Sequence, residues 1–236
     1  MENSHPVLPP TGNNEDLLPG KFGRRKFISY CGLVASGVTI AACKKDKDND
    51  NMPPAGSIDL GSGDIGILNY AYALEQLEAA FYIQVIASPY AGITANELAL
   101  LTDIRDHEVA HREFFKTALG VKAITNLEVN FSAVNFGSRD SVLGTAKAFE
   151  DLGVSAYNGA GQLITDPGYL LLAGKIVSVE ARHAAYIRDL ISNGSFADST
   201  AINASGLDLV NKPADVLTAA KPFLKSVLYA GNLPTV

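Results

Sequence analysis

The 236 residues contain no tryptophan and only two cysteines, Cys31 and Cys43, both in the first 43 positions. A disulfide framework is therefore excluded for residues 44–236. A built-in electron-transfer module of the four-cysteine iron type is excluded as well. Basic residues are outnumbered, 19 Lys+Arg against 25 Asp+Glu, for a formal charge of −6. Nucleic-acid proteins usually carry a basic face, so no nucleic-acid partner is expected. No apolar run reaches the ~18–20 residues of a membrane-spanning helix. Hydrophobic residues, by contrast, make up 47% of the chain and charged residues 19%. That is enough to bury a core in one or two domains.

The N-terminus reads as an address. Residues 1–20 are polar and rich in Pro and Gly, without helical or strand period. Gly23-Arg24-Arg25-Lys26-Phe27-Ile28 then resembles a twin-arginine export signal, and the weakly apolar stretch from Ile28 to Ala42 has the length of a signal core. It ends in Ile40-Ala41-Ala42-Cys43, which resembles a bacterial lipobox. The resemblance implies that residues 1–43 are signal peptide and lipobox, that the chain is cut before Cys43, and that the Cys43 thiol is diacylated. Two acyl chains anchor stably where one does not. The expected location is the cell envelope or periplasm, on a lipid anchor. Twin-arginine export carries folded proteins, often with a cofactor already loaded. Residues 44–63 are charged, aperiodic and Pro/Gly/Ser-rich, and read as a flexible linker.

From residue 64 apolar residues recur three and four apart, the helical period. Four segments show it: 64–88, stopped by Pro89; Thr94 to Gly120, opened by a capping box with Glu97; 139–164; and one opened by Asp166-Pro167 that ends near Asn193-Gly194. The first and second are joined by a short loop, as are the third and fourth, so each pair is an antiparallel hairpin. The 121–138 connection is long enough to run the length of a bundle. Two hairpins joined by one long crossover is an all-α, four-helix arrangement distinct from simple up-down-up-down packing. Residues 194–236 are expected to pack across the bundle, with a fifth helix near 213–229.

Each inward stripe is apolar except near its middle. There the four helices place Glu75, Glu108 with His111, Glu150, and Glu180 with His183. Residues three apart on a helix share a face, so each Glu-x-x-His presents a carboxylate and an imidazole to one point. Uncompensated buried carboxylates cost several kcal/mol each, against a net stability of about 5–15 kcal/mol for a domain. Four carboxylates balance two divalent cations when both histidines are neutral. Mixed oxygen and imidazole ligands suit Fe or Mn better than Cu(I) or Ca. The chain also repeats: Tyr82 follows Glu75 by seven residues, as Tyr157 follows Glu150. The two hairpins therefore read as copies about a pseudo-twofold axis, with a metal pair on that axis.

This pattern resembles the ferritin-like di-iron and di-manganese carboxylate proteins over residues 64–193. The stretches LNYAYALEQLEAAFY and DHEVAHREFF are most similar to the branch that includes plant desiccation-related proteins. The resemblance implies a ferritin-like four-helix bundle. It also implies Glu75 and Glu150 as terminal metal ligands, Glu108 and Glu180 as bridges between two metals, and one metal on each of His111 and His183. Reduced iron or manganese pairs in such proteins react with O2 or peroxide, so ferroxidase, peroxidase and catalase-like chemistry are all open. The alternative is a non-catalytic envelope protein for stress or drying tolerance, in which the metals are a structural staple. A closed storage cage fits poorly with a lipid tether, and a homodimer is compatible with the pattern.

Three neighbours of the site are read from pitch and repeat. Glu78 matches Gly153 in the other half, which favours Glu75 as the ligand and leaves Glu78 at the rim or just behind the ligands. His107 and Asp151 each sit about 100° from a ligand around the helix and are expected to face solvent. Helical side chains lean toward the N-terminus, so Tyr82 and Tyr157 are expected to orient ligands on neighbouring helices.

Overall fold

The computed structural model describes residues 52–235. The export signal, the lipobox with Cys43 and the first part of the expected linker lie outside the described residues. Four long helices dominate: α1 (Gly63–Ala87), α2 (Ala95–Leu119), α3 (Arg139–Gly161) and α4 (Pro167–Ile191). α1 packs along α2, and α3 along α4, as two hairpins joined by the connection over residues 120–138. The protein is thus an all-α bundle with one long crossover.

Local chemistry sets the helix ends. Thr94 caps α2 by accepting from Glu97 N–H at 3.1 Å, and the Glu97 carboxylate accepts from Thr94 N–H at 3.4 Å. Asp166 caps α4 by accepting from the amides of Gly168 and Tyr169, with Pro167 in the first helical position. Gly120 ends α2 at φ 54°, a left-handed backbone that glycine adopts without a Cβ penalty.

α1 is buried on almost every side: all residues from Gly66 to Ala79 are buried. The crossover supplies the third wall, after α2 and α3. Phe131 and Phe136 meet Phe81 at ring distances of 5.9 and 5.8 Å, and Phe149 of α3 meets the same ring at 5.2 Å. Polar side chains on α1 pin the crossover's backbone. Asn69 accepts from Ile124 N–H at 3.0 Å and donates to the carbonyls of Lys122 and Leu60. Gln76 accepts from Leu127 N–H at 2.8 Å.

Two expectations are corrected at the ends of the bundle. The linker does not stay free up to residue 63: strand β1 (Ile58–Asp59) pairs in parallel with β2 (Leu228–Tyr229), and Leu60 is fully buried. A two-residue ladder and one leucine are weak periodicity signals, so the Gly/Ser-rich composition masked them. The fifth helix is shorter than 213–229: α5 covers Pro213–Ala220, a 3-10 turn follows at Lys221–Phe223, and the chain then extends into β2. Pro222 removes an amide that a continuing α-helix would need.

The segment after α4 is held down by Arg188, which is 1% exposed. Its guanidinium donates to both oxygens of Asp151 at 2.6 and 2.8 Å, and to Asp198 and Thr200 at 3.1 and 2.9 Å. Asp151, expected to face solvent, is instead the half-buried partner of a buried cation. Further along, Asn211 N–H donates to the Ser155 carbonyl at 3.0 Å, and its backbone lies so close to Gly159 that a Cβ there would collide with it. Among the described residues, no helix is long and apolar enough to cross a membrane.

Replacing Arg188 leaves Asp151 without its fork of donors. Asp151 is partly exposed, which reduces the penalty for a lost buried partner. Arg188→Met is expected to lower the unfolding free energy by about 1–2 kcal/mol in urea titrations. The metal content of the purified protein is expected to stay unchanged.

Candidate metal centre

Each of the four helices contributes from its middle turns. Glu75 comes from α1, Glu108 and His111 from α2, Glu150 from α3, and Glu180 and His183 from α4. All four carboxylates have zero exposure, and His183 is 4% exposed. The ligand atoms fall into two overlapping groups, Glu75, Glu108, His111 and Glu180 in one and Glu108, Glu150, Glu180 and His183 in the other. Within each group these atoms all lie within 4.8 Å of one another. Glu108 and Glu180 belong to both.

The distances repeat across the two halves. His111 Nδ1 lies 2.8 Å from Glu180, 3.5 Å from Glu75 and 3.6 Å from Glu108. His183 Nδ1 lies 2.8 Å from Glu108, 3.4 Å from Glu150 and 3.7 Å from Glu180. Despite this proximity, both Nδ1 atoms, both oxygens of Glu108 and Glu180, and Oε2 of Glu75 and Glu150 have no aligned hydrogen-bond partner. Buried polar atoms normally find one. Here the unpartnered atoms gather in two tight groups, an arrangement that a metal ion could satisfy.

The remaining oxygens of the outer carboxylates are taken. Tyr82 on α1 donates to Glu150 Oε1 on α3 at 2.5 Å, and Tyr157 on α3 donates to Glu75 Oε1 on α1. Each hairpin thus orients the other's outer glutamate and leaves its Oε2 facing inward.

Of the two positions expected for Glu78, the structure shows the one just behind the ligands and not the rim. It is 4% exposed, and its Oε2 has no hydrogen-bond partner. A Cβ on Gly153 would sit 3.1 Å from Glu78 Oε1 and 3.7 Å from Glu180 Oε2, so the fifth carboxylate leans into the space that the glycine leaves beside the cluster. Glu75 and Glu78 both reach the cluster, Glu75 within one of the two ligand groups and Glu78 beside it. α1 is buried on almost every face, Asn69, Glu75, Gln76 and Glu78 included, as a helix surrounded on all sides is. His107 differs from expectation too: its ring is exposed, yet its Nδ1 stands 2.9 Å from His183 Nε2.

A family model for the ferritin-like domain matches residues 63–193, more than half of the chain and all four long helices. The chain belongs to the ferritin-like family. No curated protein matches it significantly. Membership agrees with the bundle topology and with a buried carboxylate–histidine cluster that can hold metal.

Electrostatics show what such a ferritin-like site must cancel. Burial, with the negative charges of Glu108, Glu180, Glu75 and Glu150, pushes Glu78 well above the usual carboxylate range. Burial also raises Glu150 to about 7, despite the opposing contact and charge of His183. Burial works against charge on the two histidines, but the surrounding carboxylates win and lift both to about 12. Burial would raise Glu180 as well, yet contacts with His111 and His183 hold it down to about 2, while Glu108 is pushed well up. The two central carboxylates thus titrate in opposite directions, Glu108 upward and Glu180 downward, although each faces both histidines. Protons therefore neutralise the cluster when no cation does.

The histidines and Glu150 make the metal-free fold more stable at low pH than at high pH. Glu150 titrates at about 7 in the fold against 4.5 ordinarily, so its contribution is complete below 4.5 and lost as pH rises through about 7. The histidines contribute fully below 6.5 and lose that contribution as pH climbs toward about 12. Glu180 acts oppositely, but only as pH falls from 4.5 through about 2. Protein stripped with a chelator is therefore expected to lose melting temperature steadily from pH 5 to pH 8. With Mn2+ present the stabilisation is expected to grow over the same range, because metal competes with protons for the ligands. Glu78→Gln is expected to leave the stripped protein unchanged at pH 5 and to stabilise it at pH 9 by about 1 kcal/mol or more, read by chemical denaturation.

Proposed function

We propose that this ferritin-like protein carries a dinuclear centre of Fe or Mn and uses it for redox chemistry with O2 or peroxide. The observation that carries the reading is the convergence of buried, unpartnered lone pairs from four glutamates and two histidines on two adjacent points. Glu75 and His111 would serve one metal, Glu150 and His183 the other, with Glu108 and Glu180 shared. Such a metal pair, when bound, supplies electron transfer to O2 or peroxide.

The chain's own residues do the rest. Tyr82 and Tyr157 hold Glu150 and Glu75 in a single orientation, so the ligand set is arranged before any cation arrives. Glu78, raised well above the usual range and free at Oε2, holds a proton beside the cluster. Leu74, Leu77 and Phe81 bury the α1 side of the bundle, which keeps bulk water from it. His111 keeps 13% of its side chain accessible and His107 is exposed, so a small oxidant reaches the site past these histidines on α2.

Export by the twin-arginine route and anchorage through lipid on Cys43 belong to the same proposal. They are supported by the order of Arg24-Arg25, the apolar stretch and Cys43 in the sequence. So does likeness to the desiccation-related branch, supported by the local stretch around Glu75. Cys43→Ser is expected to move the protein from the membrane fraction to the soluble fraction on cell fractionation.

The functional test uses protein purified from its native export route, with peroxide and O2 consumption measured alongside elemental analysis. The expected result is two Fe or Mn per chain and turnover that Glu108→Ala and Glu180→Ala each reduce by about 100-fold or more, together with metal content. Full metal loading without turnover would overturn the redox reading and leave the cations as a staple of an envelope protein.

A further inference from the structure

The two halves of the centre are equivalent in their ligands and unequal just outside them. Glu108-x-x-His111 corresponds to Glu180-x-x-His183, but the residue ahead of each glutamate differs: His107 in one half, Val179 in the other. His107 Nδ1 lies 2.9 Å from His183 Nε2, and the two rings are nearly parallel, 7° apart, with centroids 5.1 Å from each other. Among the described residues, nothing hydrogen-bonds the Nε2 of His111. The pseudo-symmetric position holds Val179, which has no group to offer it.

An imidazole gives a cation a lone pair only from a nitrogen that carries no proton. His183 turns Nδ1 toward Glu108, Glu150 and Glu180, so a metal there requires the proton on Nε2. That N–H then donates to Nδ1 of His107, whose own proton sits on Nε2 toward solvent. One hydrogen bond thus fixes the tautomer of His183, its ring orientation and its basicity as a ligand. His111, held on its Nδ1 side by the carboxylates, has no such partner among the described residues at its other nitrogen.

We propose that His107 is a positioning residue for His183 and makes the His183 position the tighter of the two, so that the centre fills in order, His183 side first. This rests on the reading of the cluster as a dinuclear centre.

The test is equilibrium titration of chelator-stripped full-length protein with Co2+, followed by its visible absorption, and with Mn2+ by equilibrium dialysis. Wild type is expected to bind two equivalents in two steps separated by at least about 10-fold in affinity. His107→Leu is expected to weaken the tight step by about 10- to 100-fold and to leave the weak one unchanged. His107→Asn, whose Oδ1 takes the place of Nδ1 as acceptor, is expected to restore the separation. His183→Ala removes the tight step and His111→Ala the weak one. The exposed position of His107 lets both of its variants keep the melting temperature of stripped wild type.

Two equivalents bound with equal affinity would overturn the order of filling while leaving the dinuclear centre intact. So would equal losses in the Leu and Asn variants, or loss of the tight step in His111→Ala. Failure of wild type to take up stoichiometric metal would instead overturn the centre itself.

Discussion

Four carboxylates with no exposure share one small volume at the middle of the bundle. Each would cost several kcal/mol if it stayed charged and alone. The fold cannot remove them by rotating a helix, because each sits on a stripe that otherwise fills the core. Two cations would cancel their charge and also satisfy the buried atoms that have no hydrogen-bond partner. The pseudo-twofold arrangement gives the two groups like members: each holds Glu108 and Glu180 with one outer glutamate and one histidine.

The same symmetry explains how the site stays rigid without large contacts between the hairpins. Tyr82 and Tyr157 reach across to the opposite outer glutamate, so the ligands of one hairpin are held by the other. The crossover and the C-terminal segment add the remaining support. The crossover seals α1 through Asn69, Gln76 and the Phe81 cluster. The C-terminal segment is bound to the crossover, where Asn130 N–H donates to the Phe223 carbonyl at 2.7 Å, and to α4 through Arg188. The departures from symmetry, Glu78 against Gly153 and His107 against Val179, both lie beside the ligands. There they change what lies against the cluster and leave its four glutamates and two histidines matched across the two halves.

Much of this was legible in the sequence, for identifiable reasons. Long helices with a steady 3.6 period, capped by Thr94 and by Asp166-Pro167, are strong local signals, and loop lengths then dictated which helices pair. Carboxylates in mid-stripe stood out because nothing else in a core resembles them. Other features were hidden because they depend on what covers a helix. The burial of Glu78 required α3 to bring Gly153 against it, and the His107–His183 contact required the relative rotation of α2 and α4. Arg188 reads as an ordinary charged residue near a helix end until Asp151 and Asp198 are brought to it. The β1–β2 pairing joins segments far apart in the chain, with too few residues for periodicity to register.

The central claim is that two cations sit where the lone pairs meet. Anomalous diffraction from crystals of the exported protein, collected on either side of the Fe and Mn absorption edges, tests it most directly. The account predicts two peaks about 3.5–4 Å apart, one enclosed by Glu75, Glu108, His111 and Glu180 and the other by Glu108, Glu150, Glu180 and His183. A map with no peak there, with both imidazoles turned into direct hydrogen bonds with the carboxylates, would contradict it.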